Sequence, residues 1–114
     1  MCNYCFLSGR VTTIPTLRYL GKDTPVTKFI LEILEGNARY GKIKVQCYGR
    51  LAVGAVKHLS MRNRIAIAGF LSGDVYRQDN GTYQYEIRLI ASNLAPLRED
   101  ADMGSEISGE NLLP

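Results

Sequence analysis

Tyrosines set beside basic residues are the part of this sequence best suited to binding chemistry. Tyr48 stands directly before a Gly-Arg pair in QCYGRLAVGAVKHL, residues 46–59, and Lys42 and Lys44 precede it at two-residue spacing. A basic side chain can pair with a phosphate, and a tyrosine ring lets any nucleobase stack on it for about 1–3 kcal/mol per base. These residue types therefore suit single-stranded nucleic acid if they emerge on one face.

A second group of such residues flanks an Asn-Gly step at 80–81. Tyr76 and Arg77 precede the step, and Tyr83 and Tyr85 follow it. Because Asn-Gly favours a tight hairpin, these residues would lie on the two strands of one arm. They either form cross-strand aromatic pairs or grip nucleic acid, and Tyr76 is the stronger candidate. With two arginines added, the candidate nucleic-acid-binding set is Arg10, Lys42, Lys44, Tyr48, Arg50, Tyr76, Arg77, Tyr83 and Tyr85.

The sequence offers little for catalysis or metal binding. It contains one histidine, His58, and three cysteines, of which Cys2 and Cys5 form a C-x-x-C. A structural zinc site needs four ligands, and only Cys47 and His58 remain to supply the others. No nucleophile–base set and no phosphate-binding loop is present. We therefore expect no enzyme activity, no cofactor and no metal, and we expect Cys47 to be a buried, reduced thiol.

The charges divide the chain into a basic body and an acidic end. The 114 residues carry a net charge of +3, with 46% hydrophobic residues, which is enough for one small globular domain. Residues 99–114 have five acidic and no basic side chains, whereas residues 1–98 have a net charge of +8. A body this basic favours a polyanionic partner. No apolar run is long enough to span a membrane, so a membrane role is not expected.

Hydrophobic alternation predicts five short strands and one helix. The strands are expected at about 4–13, 26–35, 42–48, 64–77 and 83–94, and the helix at 51–59 between the third and fourth strands. Gly9 in the first strand indicates a close backbone approach or a bend. This order outlines an all-β OB-fold, a five-stranded Greek-key barrel that often binds oligonucleotides or oligosaccharides. Residues 1–97 would form the domain, and residues 98–114 an acidic, disordered tail.

The third strand decides what Tyr48 faces. Its alternation directs Ile43, Val45 and Cys47 to the barrel interior and places Lys42, Lys44, Gln46 and Tyr48 on the outer face. Tyr48 would then share a surface with two lysines. The alternative is that its ring packs against the following helix at the edge of the core.

Three blocks of the sequence, in collinear order, resemble the bacterial single-stranded DNA-binding protein family. They are FLSGRVTTIPTLRYLGKDTPVTKFILEI, VQCYGRLAVGAVKHL and IAIAGFLSGDVYRQDNGTYQYEIRLIASNL, and the match covers about residues 3–97. The resemblance implies an OB-fold that binds single-stranded DNA with little sequence preference during DNA replication, recombination and repair. It implies a cytoplasmic, nucleoid-associated homotetramer, with a dimer as the alternative. Tyr48 matches the family's stacking aromatic before Gly-Arg, and Tyr76 matches an aromatic in the fourth-strand arm.

The sequence departs from the family pattern in four respects. The connection between the second and third predicted strands is very short, Lys42 stands where the family frequently has a tryptophan, and the chain contains no tryptophan. Stacking should therefore be weaker and phosphate contact more important, with a steep salt dependence. The tail is acidic, as in the family, but ends NLLP. The resemblance implies that replication and repair proteins dock on this tail, and the NLLP ending weakens that expectation.

Two other functions fit the same outline. One is a primosomal replication protein N-like dimeric accessory factor, which would bridge single-stranded DNA and replication proteins. The other is an OB-fold module for a protein or an oligosaccharide, although such a site has little reason to carry lysines around tyrosines. DNA and RNA are not separated by the sequence, because stacking and phosphate contacts serve both.

Overall fold

A computed structural model describes residues 2–97 and 107–108. These residues form seven strands and one helix: β1 (Cys5–Val11), β2 (Thr16–Leu20), β3 (Thr24–Glu35), β4 (Ala38–Tyr48), α1 (Arg50–His58), β5 (Arg64–Arg77), β6 (Tyr83–Leu97) and β7 (Ile107–Ser108). The helix lies between β4 and β5, where the sequence predicts it. Within the described residues, no helix has the length and apolar character that crossing a bilayer requires.

Five of the strands close into a barrel. The hydrogen-bonded order is β1-β5-β6-β4-β3, and a further pairing of β1 with β3 completes the ring. Only the β4–β6 pairing is parallel; the other pairs are antiparallel. The predicted five-stranded OB-fold barrel is therefore confirmed, and its five strands are β1, β3, β4, β5 and β6.

Two short strands were not predicted. β2 pairs antiparallel with β3 outside the ring, from Thr16 opposite Lys28 to Leu20 opposite Thr24. The sequence signal was obscured because only Leu17 of its five residues is even partly covered, so the strand lacks a clear apolar alternation. β7 pairs with β6 next to Asn93 and Leu94. The rest of the predicted tail lies outside the described residues, and its disorder stays a prediction.

The barrel interior is filled by aliphatic side chains and closed by the helix. Val11, Leu31, Val45, Ile67 and Leu89 are completely buried. From α1, the apolar side chains of Leu51, Ala52 and Ala55 join this core. The Thr27 hydroxyl donates to the Ala52 carbonyl at 2.7 Å, which ties the helix to β3. This packing fixes the outer faces of β3 and β4 relative to each other.

Gly49 makes the sharp turn from β4 into α1. Its φ of 65° lies in the left-handed region that glycine tolerates best. Its amide donates to the Pro25 carbonyl at 2.9 Å, so the turn is also anchored to the start of β3. The helix ends with Lys57 and His58, and basic side chains at this position interact favourably with the negative end of the helix dipole. Gly49 thus has a structural role at this junction.

The alternation predicted for the third strand is confirmed, although Gln46 on its outer face is covered. Val45 and Cys47 are fully buried and Ile43 packs against the core, whereas Lys42 and Lys44 are exposed. Gln46 lies on the outer side but is only 6% exposed. Neighbouring side chains on the outer face cover it, and the Tyr48 hydroxyl, which donates a hydrogen bond to its side chain, is one of them. Burial raises the pKa of the Cys47 thiol to about 12, so it remains protonated.

Two glycines allow strands to approach each other closely. At Gly9 a methyl group would lie 2.1 Å from the Glu32 carbonyl oxygen, and at Gly69 one would lie 2.0 Å from that of Ile90. No side chain fits at either position. The close approach predicted at Gly9 is confirmed. Gly69 performs the same function where β5 crosses β6, beside a register shift between Ala68 and Gly69.

Candidate nucleic-acid interface

A groove of about 490 Å³ runs across the outer face of the barrel. Strands β2, β3 and β4 form its floor, and the arm formed by the outer halves of β5 and β6 forms one wall. The groove is lined by Thr13, Ile14, Thr16, Arg18, Lys28, Phe29, Ile30, Lys44, Val45, Gln46, Tyr76, Glu86 and Arg88. Four of these side chains are cationic and two are aromatic, of which Phe29 is buried and Tyr76 is exposed, so the groove has the composition that a phosphate backbone and a stacked base require.

Strand register brings these residues together from distant parts of the sequence. Lys44 lies opposite Ile30 on β3 and, on its other side, opposite Arg88 on β6. Lys28 lies opposite Gln46, and across β3 it faces Thr16 of β2. Directly opposed residues share a face of the sheet. The cations therefore form adjacent rows on one surface.

Two of the four groove cations are paired with carboxylates of the arm. Lys44 Nζ lies 2.6 Å from Glu86 Oε1, and Arg88 is bonded to Asp74. The hydrogen bond from Lys44, followed by its charge, lowers the pKa of Glu86, so this carboxylate is ionised at neutral pH. Within residues 2–97, Arg18 and Lys28 form no ion pair. They are the cations most readily available to an incoming phosphate.

Tyr48 lies on the outer face at the end of β4. Its hydroxyl donates to Gln46 Oε1 at 2.8 Å, and the tyrosine is 40% exposed. Opposite it on β3 is Val26, which is almost fully covered. Since Gln46 lines the groove, this hydrogen bond places Tyr48 at the groove's edge. The geometry agrees with the predicted outer-face position rather than with a place in the core.

The arm formed by β5 and β6 has two different faces. Tyr76 lies opposite Gln84 and lines the groove, as do Glu86 and Arg88 further along β6. Tyr83 and Tyr85 alternate with these residues, so they project from the other face of the arm. Arg77 lies opposite Tyr83 and shares that other face. The groove therefore brings together Lys44 and Tyr76 from the predicted set, and not the remaining aromatic residues of the arm.

Besides Arg77, three predicted basic residues lie outside the groove. Arg10 on β1 and Lys42 on β4 both lie opposite Glu32 of β3. The acidic residue therefore stands between the two basic ones. Arg50 is the first residue of α1 and is exposed. A single-stranded chain leaving the groove could reach these side chains only along the barrel surface. Their role in binding stays a prediction.

The sequence prediction missed Arg18, Lys28 and Arg88. Each lines the groove. Arg18 directly precedes Tyr19 and Lys28 directly precedes Phe29, so the adjacency of basic and aromatic residues that singled out Tyr76 and Arg77 was also available for these two. Lys28 had a usable signal, because it alternates with buried residues on β3 in the same way that Lys44 does on β4. Arg88 becomes visible only through the parallel β4–β6 pairing, which places it opposite Lys44.

The fold and the groove together define a small OB-fold protein with a cationic, aromatic-bearing groove on its outer face. A family model described as "Single-strand binding protein family" matches residues 2–97. The chain belongs to this family. Membership of a binding-protein family agrees with the expectation that the chain is not an enzyme.

Two curated relatives support this membership. The chain is 27% identical over 121 residues to a single-stranded DNA-binding protein of Aquifex aeolicus, covering 96% of this chain and 78% of the relative. It is 28% identical over 115 residues to a protein of the same name from Clostridium tetani, covering 96% and 79%. The similarity thus extends over nearly all of this chain.

Solved structures show the same fold. The small single-stranded DNA-binding protein from Streptomyces coelicolor superposes with a TM-score of 0.71 at 19% identity, covering 89% of this chain and all of the other. A Plasmodium falciparum SSB in complex with single-stranded DNA superposes with a TM-score of 0.68 at 22% identity, covering 86% and 97%. At these identities the likeness concerns the fold.

Proposed function

We propose that this protein binds single-stranded DNA in the groove between β2–β4 and the β5–β6 arm. The observation that carries the proposal is the convergence of Arg18, Lys28, Lys44, Arg88 and Tyr76 on one concave surface. The names of the two curated relatives support the ligand.

The residues suggest how the strand is held. Phosphates pair with Arg18 and Lys28 and then with Lys44 and Arg88, while a base stacks on Tyr76. Tyr48 supplies a second aromatic surface at the groove's edge. These contacts depend on charge and on ring faces, which all nucleotides share, so binding has little sequence preference. On this basis the protein coats single strands during DNA replication, recombination and repair, in the cytoplasm and at the nucleoid. The acidic segment 98–114 is the candidate contact for replication and repair proteins.

Tyr76→Ala is expected to weaken binding of an oligo-dT strand by about ten-fold, since base stacking contributes about 1–3 kcal/mol per base. Tyr76→Phe keeps the ring and should retain most of the affinity. Fluorescence anisotropy of a labelled strand measures both variants. Tyr85→Ala removes a still more exposed tyrosine from the other face of the arm and should change the affinity less than two-fold. Equal losses for Tyr76→Ala and Tyr85→Ala would contradict the assignment of the groove face.

We also propose that the chain forms a homo-oligomer, with a tetramer favoured over a dimer. Three aromatic side chains, Tyr4, Phe6 and Phe70, are exposed where β1 meets β5. Phe6 lies opposite Ala68, two residues before Phe70, so the three share one outer surface. Exposed apolar patches of this kind mark interaction sites.

Phe6→Glu places a charge in the centre of this aromatic patch and is expected to lower the molar mass in solution at least two-fold, because a charge buried at an interface is costly. Size-exclusion chromatography with light scattering measures the mass. Tyr19→Glu introduces the same charge at an equally exposed aromatic on β2 and should leave the mass unchanged. An unaltered mass for Phe6→Glu would exclude this patch as the interface.

A further inference from the structure

Two carboxylates occupy the wall of a groove that is otherwise suited to a polyanion. Asp74 on β5 lies directly opposite Glu86 on β6, and both side chains are on the groove face of the arm. Each binds one groove cation, Arg88 and Lys44 respectively. A phosphate that enters this part of the groove must therefore displace a carboxylate from the cation that it contacts.

Stability does not account for this arrangement. Like charges directly opposite each other across two strands destabilise a sheet, and here Lys44 and Arg88 oppose each other as the two carboxylates do, so the four charges largely offset one another. The two ion pairs are also partly exposed: the Lys44 and Asp74 side chains are 57% and 41% accessible, and the Glu86 and Arg88 side chains 28% and 24%. Ion pairs this accessible to solvent contribute little to folding. A role in ligand binding explains their position better.

We propose that Asp74 and Glu86 act as built-in competitors of phosphate, which limit the affinity of the groove and speed the release of the strand. This inference rests on the proposed function. The carboxylates hold the cations in position for a phosphate. Each phosphate contact then gains only the difference in free energy between the cation–phosphate pair and the cation–carboxylate pair that it replaces. Because the pKa of Glu86 is lowered by Lys44, this competition operates throughout the neutral pH range.

The competition also affects the salt dependence of binding. In the wild-type protein, a phosphate that displaces Glu86 leaves a free carboxylate, which recruits a cation from solution. Part of the gain from counterion release is thereby cancelled. Removing the carboxylate charge should restore the full gain from counterion release. The log–log salt slope should then steepen by up to about 0.7 for each phosphate contact that no longer displaces a carboxylate.

Glu86→Gln and Asp74→Asn test the proposal because the amides keep the size of the side chains and remove the charges. We expect each variant to bind an oligo-dT strand about three-fold more tightly and the double variant about ten-fold, with slower dissociation and a steeper salt slope. Fluorescence anisotropy at four salt concentrations gives the affinities and slopes, and stopped-flow competition gives the dissociation rates. The double variant Asp23→Asn/Glu35→Gln adds the same net charge in the turn before β3 and at the end of β3, both outside the groove lining, and is the matched control.

The outcomes separate this proposal from the function on which it rests. If the wild-type protein binds the strand and Asp74→Asn/Glu86→Gln tightens binding beyond the control, the competitor role is supported. If the double variant binds no more tightly than the control, or more weakly, the competitor role is wrong although the protein still binds single-stranded DNA. If the wild-type protein does not bind the strand at all, the proposed function fails, and this inference fails with it.

Discussion

The double charge reversal Lys28→Glu/Lys44→Glu will reduce the affinity for single-stranded DNA by at least about 100-fold at physiological salt, because two phosphate contacts become repulsive. The two lysines come from neighbouring strands and line the same groove. Lys28 forms no ion pair within residues 2–97, so a phosphate that contacts it displaces no salt-bridged carboxylate. Anisotropy titrations of a labelled oligo-dT strand measure the loss.

The position of the charges, rather than their number, should determine this result. Lys57→Glu/Arg62→Glu changes the net charge equally on exposed residues of α1 and the turn before β5, outside the groove. This control should weaken binding only a few-fold through the general field of the protein. Circular dichroism checks that both variants fold. A control as defective as the groove variant would mean that binding uses the whole basic surface and not the groove.

Gly69→Ala is expected to lower the free energy of unfolding by about 2–3 kcal/mol, in the upper range of overpacking substitutions. The added methyl group would lie 2.0 Å from the Ile90 carbonyl oxygen and 3.0 Å from the Ala91 Cα. Both are backbone atoms, so β5 and β6 must separate at the point where they are closest. For a domain of this size, the midpoint of thermal unfolding should fall by about 10 °C or more.

Gly73→Ala provides the matched control four residues further along the same strand. Its methyl group would lie 3.5 Å from the nearest atom, the Glu86 carbonyl oxygen, which is an ordinary contact. We expect a change of less than about 1 kcal/mol, or a slight stabilisation, because alanine restricts the unfolded chain. Thermal and urea unfolding measure both variants. Equal stabilities of the two would contradict the close packing of β5 on β6 at Gly69.

The sequence predicted the barrel well because its strands alternate strongly. Val45 and Cys47 identify the buried side of β4, and the glycine-directed turn after Tyr48 begins the helix at the expected position. β2 escaped prediction because its residues are largely exposed, so its pairing with β3 has no apolar signature. Hydrophobic pattern determines which side of a strand is buried, but it does not identify strands that pair mainly through their backbones.

The site was predicted only in part, because the groove depends on register between strands distant in sequence. Lys44 and Tyr76 could be selected from their local surroundings, and both line the groove. Arg88 could not, because its place beside Lys44 follows from the parallel pairing of β4 with β6. Tyr85 illustrates the converse: it resembles Tyr76 in the sequence, but the two-residue period of β6 turns it to the other face.

The most direct test of the account is an anisotropy titration of the wild-type protein with a labelled oligo-dT strand, beside a duplex and an RNA strand of equal length, at several salt concentrations. We expect the DNA strand to bind far more tightly than the duplex, with a log–log salt slope of about −1.5 to −3, the range between two and four phosphate contacts that release counterions in full. The RNA strand determines whether the 2′-hydroxyl matters. No binding at low salt, or equal binding of strand and duplex, would contradict a groove that holds single strands.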